Sequence, residues 1–236
     1  MGWQNSRHLL PLKPDVTVAW ELVGGVDYAL YLPPLGPLSI AYSGGVGVNV
    51  DFEQDLIKRT GLTVHAFDPT PLAARYLTTQ NLPDQFVFHP SALGSKDGRC
   101  AFQGPTRTSN ADAEGTLLTV NTGSELEVPV QTIPTAMSQF HHDHLDVLKL
   151  DIEGGEYEVL DQMLRAGVEP AQLTLEFHPY LLNLSEGKAV GCPDGWAKTA
   201  ACVKQLQDHG YRIFFISQRG REYSFIHQSA LGGIRV

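Results

Sequence analysis

The sequence is poor in cysteine. Its three cysteines, Cys100, Cys192 and Cys202, are widely spaced, and no two of them form a CxxC pair. This argues against a zinc knuckle or a disulfide framework, because both need closely spaced or paired cysteines. We therefore expect a reducing, cytoplasmic setting in which all three cysteines fill the core as small apolar side chains.

Basic charge and long apolar runs are also scarce. Seventeen Lys and Arg stand against 26 Asp and Glu, which gives a net charge of −9 without any basic cluster. This balance disfavours nucleic acid and anionic lipid as partners, because both are bound through clustered basic side chains. No segment approaches the roughly 20 apolar residues of a membrane span, and the first residues lack the apolar stretch of a signal peptide. We expect a soluble protein, and no pattern indicates its oligomeric state.

The chain is long enough for one large domain. Of its 236 residues 42% are hydrophobic, and only 18% are charged, where ordinary domains have about a quarter. Much of the chain should therefore lie in elements that are covered on both faces. Residues 1–37 carry five of the fifteen prolines, and we interpret them as a lead-in packed on the main domain, 38–236, with a short helix or strand around 16–22.

Short apolar runs alternate with helical stretches beyond residue 37. Strands are expected at 38–42, 62–67, 85–89, 145–150, 172–177 and 211–216, with an antiparallel strand at 222–226, and helices at 49–60, 71–80, 155–166 and 195–209. A β-rich insertion is expected at about 94–132, with strands at 99–103, 115–120 and 126–130. The pattern predicts an α/β fold with a mostly parallel sheet and helices on both faces.

The glycine loop 43–49, SGGVGVN, follows the first of these strands and opens a helix. In such sheets ligands bind beyond the carboxyl ends of the strands, where glycines let a ligand approach the backbone; the loop is otherwise a tight turn. Asp68 ends the next strand, where a carboxylate either accepts the hydroxyl hydrogens of a ribose or caps the helix at Pro71. Together they indicate an adenosine-containing cofactor. Val50 stands where a dinucleotide fingerprint has its third glycine, which disfavours NAD.

Three carboxylates occur within six residues, at the end of one strand and the start of the next helix: Asp151, Glu153 and Glu156. A negative charge at a helix start is stabilised by the helix dipole, so Glu156 has a structural explanation. Asp151 and Glu153 are expected to point toward the ligand crevice. Carboxylates there need a cation or hydrogen-bond donors.

Three segments resemble those of the FkbM-type methyltransferases: LKLDIEGGEYEVL (148–160), AFDPTP (66–71) and HPSALGSKDG (89–98). The similarity runs from roughly 40 to 180 and points to the methyltransferase-like branch of this family, whose class I, Rossmann-like fold uses S-adenosylmethionine. The sequence departs from the family at Ser43, where most members have an acid, and at Asp68, where many have Glu.

The resemblance implies roles for particular residues. The methionine part of the cofactor would lie along Ser43, Gly44, Gly45 and Gly47, the ribose on Asp68, the adenine against Ser91, Ala92 and Leu93, and Asp151 would face the sulfonium and the acceptor.

Methyl transfer is an in-line displacement, and a hydroxyl acceptor must also lose a proton. His178, at the end of another strand, is the candidate base, with Asp151 and Glu153 as its catalytic partners; it is otherwise a histidine that supports a carboxylate. A divalent metal among Asp151, Glu153, Glu176 and His178 is a further possibility. We do not favour it, because these carboxylates can instead bind acceptor hydroxyls.

We therefore expect O-methylation of a small molecule or glycan. The alternatives are a nicotinamide-dependent oxidoreductase and a catalytically silent cofactor-binding domain of the same fold. Acceptor specificity is expected from the lead-in, the insertion and the loop 181–195, with Trp196 either capping the acceptor pocket or packing in the core. The histidine-rich segment 141–144 is expected to be a solvated loop at the amino ends of the strands.

Overall fold

The computed structural model describes residues 10, 13–25, 27–103, 125–179 and 195–231. Its strands are β1 (Glu21–Val23), β2 (Tyr28–Leu30), β3 (Ile40–Gly44), β4 (Thr63–Phe67), β5 (Phe86–His89), β6 (Ala92–Leu93), β7 (Gly98–Gln103), β8 (Glu125–Gln131), β9 (Val147–Leu150), β10 (Gln172–Glu176), β11 (Tyr211–Ile216) and β12 (Glu222–His227). Its α-helices are α1 (Asp51–Thr60), α2 (Pro71–Leu77), α3 (Ile133–Phe140), α4 (Glu156–Arg165) and α5 (Gly195–Asp208). The expected strand 115–120, Cys192 and all but the last residue of the loop 181–195 lie outside the described residues.

The main sheet has seven strands in the order β11-β12-β10-β9-β3-β4-β5. Strands β3, β4, β5, β9 and β10 run parallel, and β12 is antiparallel to both of its neighbours. This confirms the predicted fold class and the antiparallel last strand. The strand order reverses between β3 and β9, so their carboxyl ends flank the switch point at which ligands bind in open α/β sheets.

Helices cover both faces of the sheet because the side chains of each strand alternate in direction. On β9, Val147 packs in one core cluster with Leu56 of α1, whereas Leu148 and Leu150 belong to another with Leu160 of α4. Helices α3 and α5 lie on the α4 side. Within the described part of the chain, no helix is long and apolar enough to cross a membrane.

The described part of the lead-in contains a hairpin rather than one short element. Strands β1 and β2 pair antiparallel, with Glu21 opposite Leu30. The chain after β2 is joined to the main sheet by Gln172, whose side chain accepts from the Tyr31 N–H at 2.8 Å and donates to the Tyr31 carbonyl at 2.9 Å. The hairpin thereby places Tyr28 near the carboxyl ends of the strands.

A second, three-stranded sheet has the order β6-β8-β7. Its antiparallel pair, β7 and β8, coincides with two of the expected strands. Helix α3, which follows β8 directly, lies where no element was expected. The helix begins where the Thr132 hydroxyl accepts the Thr135 N–H at 3.3 Å, with Pro134 in its first turn. Both features are typical of a helix start.

The expectation that all cysteines fill the core is wrong for Cys100. It lies exposed on β7, whereas Cys202 of α5 is buried. The reason is that Cys100 belongs to the small sheet and not to the main sheet, which helices cover on both faces. Residues 98–100 of β7 are all exposed to solvent.

The expectation of a solvated histidine loop is wrong for His142. Its neighbours His141, Asp143 and His144 are exposed, but His142 is half-buried and its Nδ1 lies 2.8 Å from the Tyr42 hydroxyl oxygen. The ring of His142 also meets that of His65 edge-on, at a centroid distance of 4.8 Å.

A histidine cluster therefore lies on the α3 face of the sheet, formed by His65, His89 and His142. The His65 and His89 rings are stacked, with Nδ1 of one 2.9 Å from Nε2 of the other, and Phe140 of α3 lies against both. Burial, together with the neighbouring His142 and His89, lowers the pKa of His65 from 6.5 to about 4. The cluster is neutral at neutral pH.

His65 should make the fold sensitive to acid. Between pH 6.5 and about 4 the unfolded chain binds a proton at His65 that the folded chain does not. The free energy of unfolding therefore falls by up to about 1.4 kcal/mol for each unit by which the pH is lowered. The measurement is the free energy of unfolding in urea at a series of pH values. His65→Phe should remove the pH dependence that His65 causes, and His209→Phe, at an exposed site, should leave it in place. The same pH dependence of the unfolding free energy in wild type and in His65→Phe would contradict this prediction.

Candidate active site

The ends of β3, β4 and β9 meet at the glycine loop. Gly45 has φ +78°, and a Cβ there would lie 1.8 Å from the carbonyl oxygen of Asp151, so only glycine fits. The Gly45 N–H donates to the Phe67 carbonyl at 2.9 Å, and the Asp151 N–H donates to that of Gly44 at 3.0 Å. The loop is thereby held against both neighbouring strand ends.

Asp68 joins the glycine loop to the start of α2. It is buried, and its Oδ2 accepts the Gly47 N–H at 2.8 Å. Its Oδ1 accepts the N–H of Thr70 at 2.8 Å and the Thr70 hydroxyl at 2.6 Å. The N-cap of α2 is Thr70 itself, so Asp68 supports the cap rather than forming it. A carboxylate has about four acceptor sites, which leaves capacity for a ligand hydroxyl.

The other residues expected to contact the cofactor lie at the same edge. Leu93 is buried beside the loop, where a Cβ on Gly44 would lie 3.3 Å from it, and Ala92 precedes it in β6. The Ser91 hydroxyl accepts from Gln131 at 2.9 Å. Ser43 lies one layer deeper: it is buried, and its hydroxyl donates to Glu53 of α1 at 2.6 Å.

The acidic residues converge on His178 from two strand ends. Its Nε2 lies 3.5 Å from Glu153 Oε2, 3.7 Å from Glu176 Oε1 and 3.8 Å from Asp151 Oδ1. The imidazole is 2% exposed, whereas the Asp151, Glu153 and Glu176 side chains are 27%, 24% and 16% exposed. The three carboxylates are therefore reachable from solvent above a buried ring.

Glu156 holds this ring from behind. Its Oε1 lies 2.8 Å from His178 Nδ1, and the fully buried carboxylate also accepts the N–H groups of Ile152 and Gly154. Burial alone would lower the pKa of His178, but the Glu156, Glu153 and Asp151 carboxylates outweigh it and raise the pKa to about 10. His178 is therefore an imidazolium at neutral pH.

Glu153 occupies an unusual backbone conformation. Its φ is +53°, the left-handed region, which costs a non-glycine residue about 1–3 kcal/mol. The next residue, Gly154, also has positive φ, and the turn they form carries the chain from β9 into α4. The turn places the Glu153 carboxylate beside His178.

Two residues that were not expected from the sequence, Tyr28 and Arg221, complete the cluster. The Tyr28 hydroxyl donates to Asp151 Oδ2 at 2.8 Å and lies 3.4 Å from Glu176 Oε2, and Arg221 Nη2 lies 3.2 Å from Glu176 Oε1. Burial, with Asp151 and Glu176, raises the pKa of Tyr28 far above its usual value, so the phenol keeps its proton. Burial, reinforced by Asp151, also raises the pKa of Glu176. Neither Tyr28 nor Arg221 lies in a recognisable motif.

Part of the cluster has the composition of a metal site. Asp151, Glu153 and His178 each offer one ligand atom, all within 4.8 Å of one another, and carboxylate and imidazole are common ligands of divalent metals.

Trp196 is half-buried at the start of α5.

The fold and the glycine loop define an α/β domain with a glycine loop at the switch point of its sheet. The chain matches the methyltransferase FkbM domain model over residues 40–213 and belongs to this family, as the sequence resemblance predicted. It is 27% identical to human methyltransferase-like protein 24 and 24% identical to the rat protein, over 176 residues in each case. These matches cover 73% of this chain, and the chain spans about 41% of the relatives' length.

Among solved structures, Aeropyrum pernix fibrillarin, crystallised with natively bound S-adenosyl-L-methionine, aligns with a TM-score of 0.41 and 14% sequence identity. The alignment covers 84% of this chain and 68% of fibrillarin.

His178 should stabilise the fold most at low pH. Its pKa is raised from 6.5 to about 10, so its contribution is complete below pH 6.5 and decreases as the pH rises toward 10, by up to about 1.4 kcal/mol per pH unit. The difference in unfolding free energy between wild type and His178→Gln should shrink over this range, and His209→Gln, at an exposed site, is the control. A difference that grows with pH would contradict the charge assignment.

Proposed function

We propose that the chain is an S-adenosylmethionine-dependent O-methyltransferase acting on a hydroxyl group of a small molecule or glycan. The observation that carries the proposal is the convergence of the glycine loop, Asp68 and Asp151 at one switch point, with Gly45 packed directly on the Asp151 carbonyl. Membership of the FkbM methyltransferase family supports the choice of cofactor.

In this proposal the cofactor lies across the loop from the acidic cluster to the small sheet. Its methionine end contacts the backbone of Gly44, Gly45 and Gly47, which Ser43 supports from below. Its ribose hydroxyls donate to Asp68, and its adenine lies against Ser91, Ala92 and Leu93.

The acceptor would bind on the exposed side of the carboxylates. Asp151, Glu153 and Glu176 are partly exposed and ionisable, and carboxylates accept hydrogen bonds from hydroxyl groups. An acceptor with several neighbouring hydroxyls, such as a sugar, satisfies more than one of them. This favours a polyol or glycan over an apolar acceptor.

S-adenosylmethionine supplies a methyl group on a positively charged sulfur. As the acceptor oxygen bonds to the methyl carbon and the carbon–sulfur bond breaks, the hydroxyl proton passes to Asp151. His178 was expected from the sequence to be the base. Because its pKa is about 10, we assign it instead the role of a cation that holds Asp151 and Glu153 in place.

Two alternatives predict different behaviour. A divalent ion held by Asp151, Glu153 and His178 would make transfer sensitive to EDTA, whereas in our proposal the His178 imidazolium is the cation beside these carboxylates and transfer needs no metal. A silent binding domain would bind the cofactor and transfer nothing. A nicotinamide oxidoreductase would bind NAD, which family membership disfavours.

Transfer of a tritiated methyl group from S-adenosylmethionine to mixed metabolites and glycans tests the proposal. We expect EDTA-resistant labelling of a hydroxyl compound. Asp151→Asn should reduce the rate at least about 100-fold, the usual contribution of a general base. Glu158→Gln, an exposed acid on α4, is the matched control.

Labelling that persists in Asp151→Asn would show that this residue is not the base. Cofactor binding without any transfer would favour the silent domain.

A further inference from the structure

A buried ion pair lies beneath the glycine loop. Lys149 Nζ donates to the Gly45 carbonyl at 3.1 Å and lies 3.9 Å from Glu53 Oε1. The Lys149 and Glu53 side chains are 6% and 1% exposed, and the Ser43 hydroxyl donates to the same Oε1. An ammonium group, held by a carboxylate from α1, therefore supports the loop backbone.

Stability does not explain this pair. Among the described residues, Glu53 Oε2 is a buried atom without a hydrogen-bond partner. Burying two charges lowers stability unless their geometry and hydrogen bonding are complete, and an unsatisfied buried acceptor adds to that loss. Apolar side chains of similar size would fill the space with less loss.

Lys149 also connects the two sides of the proposed site. It lies in β9, two residues before Asp151. Its Nζ is 5.1 Å from the centroid of the Tyr28 ring, within the range of cation–π attraction, and the Tyr28 hydroxyl donates to Asp151. One ammonium group thus contacts both the glycine loop and the ring that orients the acceptor-side carboxylate.

We infer that Lys149, held by Glu53, is a positioning residue for the methionine end of the cofactor. It fixes the Gly45 peptide relative to Asp151, so that the loop holds the methyl donor in line with the acceptor. The glycine loop 43–49 contains no acidic residue. Glu53 of α1 supplies a carboxylate next to Ser43 instead. The inference rests on the proposed function, because it requires S-adenosylmethionine in this crevice.

The double variant Glu53→Met/Lys149→Met tests this role. Calorimetric titration would use S-adenosylhomocysteine and 5′-methylthioadenosine, which keeps the adenine, ribose and thioether but lacks the amino-acid end. We expect affinity for S-adenosylhomocysteine to fall about tenfold or more, because the loop peptide that holds its amino-acid end loses its support, and affinity for 5′-methylthioadenosine to stay within about twofold. The melting temperature should be unchanged or higher.

Lys58→Met, at an exposed position on α1, is the control and should bind both ligands like wild type. If the double variant does not fold, Glu53→Gln keeps the shape of the side chain and should show the same selective loss. Equal loss of both ligands, or unchanged binding of S-adenosylhomocysteine, would overturn the inference. Failure of the wild type to bind either ligand would overturn the proposed function itself.

Discussion

The site depends on the close approach of two backbones at the point where the strand order reverses. The Gly45 backbone rests against the carbonyl oxygen of Asp151, and no side chain fits between them. Since parallel neighbours end at one edge of the sheet, this contact fixes the glycine loop relative to the acidic cluster. Lys149 reinforces the contact from below through the Gly45 carbonyl.

Charge balance is the second constraint. Asp151, Glu153, Glu156 and Glu176 lie around His178, whose imidazolium offsets part of their negative charge. Glu156 has two roles. It accepts hydrogen bonds from N–H groups just before α4, and it holds the imidazole of His178. The outer carboxylates remain partly exposed, and the proposed function assigns them to acceptor binding.

The sequence was sufficient for the sheet and for the edge of the sheet at which the candidate residues meet. Apolar runs alternating with helical stretches predicted the parallel strands and their antiparallel companion, and the rule that ligands bind at carboxyl ends selected Asp151 and His178. Other features depend on contacts distant in sequence. Tyr28 reaches Asp151 only because a hairpin folds over the sheet, and Lys149 is one polar residue in an apolar strand until Glu53 is placed beside it.

Short or irregular elements were harder to predict for the same reason. Helix α3 has only eight residues, too few for a clear period, and the burial of His142 depends on Tyr42, 100 residues earlier in the chain. The role of His178 could not be assigned from sequence either. Its protonation depends on the number of carboxylates that surround it, and Glu156 had an independent explanation as the first residue of a helix.

A crystal structure of the chain with S-adenosylhomocysteine would test the central claim most directly. We expect the ribose hydroxyls on Asp68, the amino-acid end along the glycine loop, and the sulfur directed toward Asp151. A ligand bound elsewhere, or one whose sulfur faces away from the acidic cluster, would contradict it.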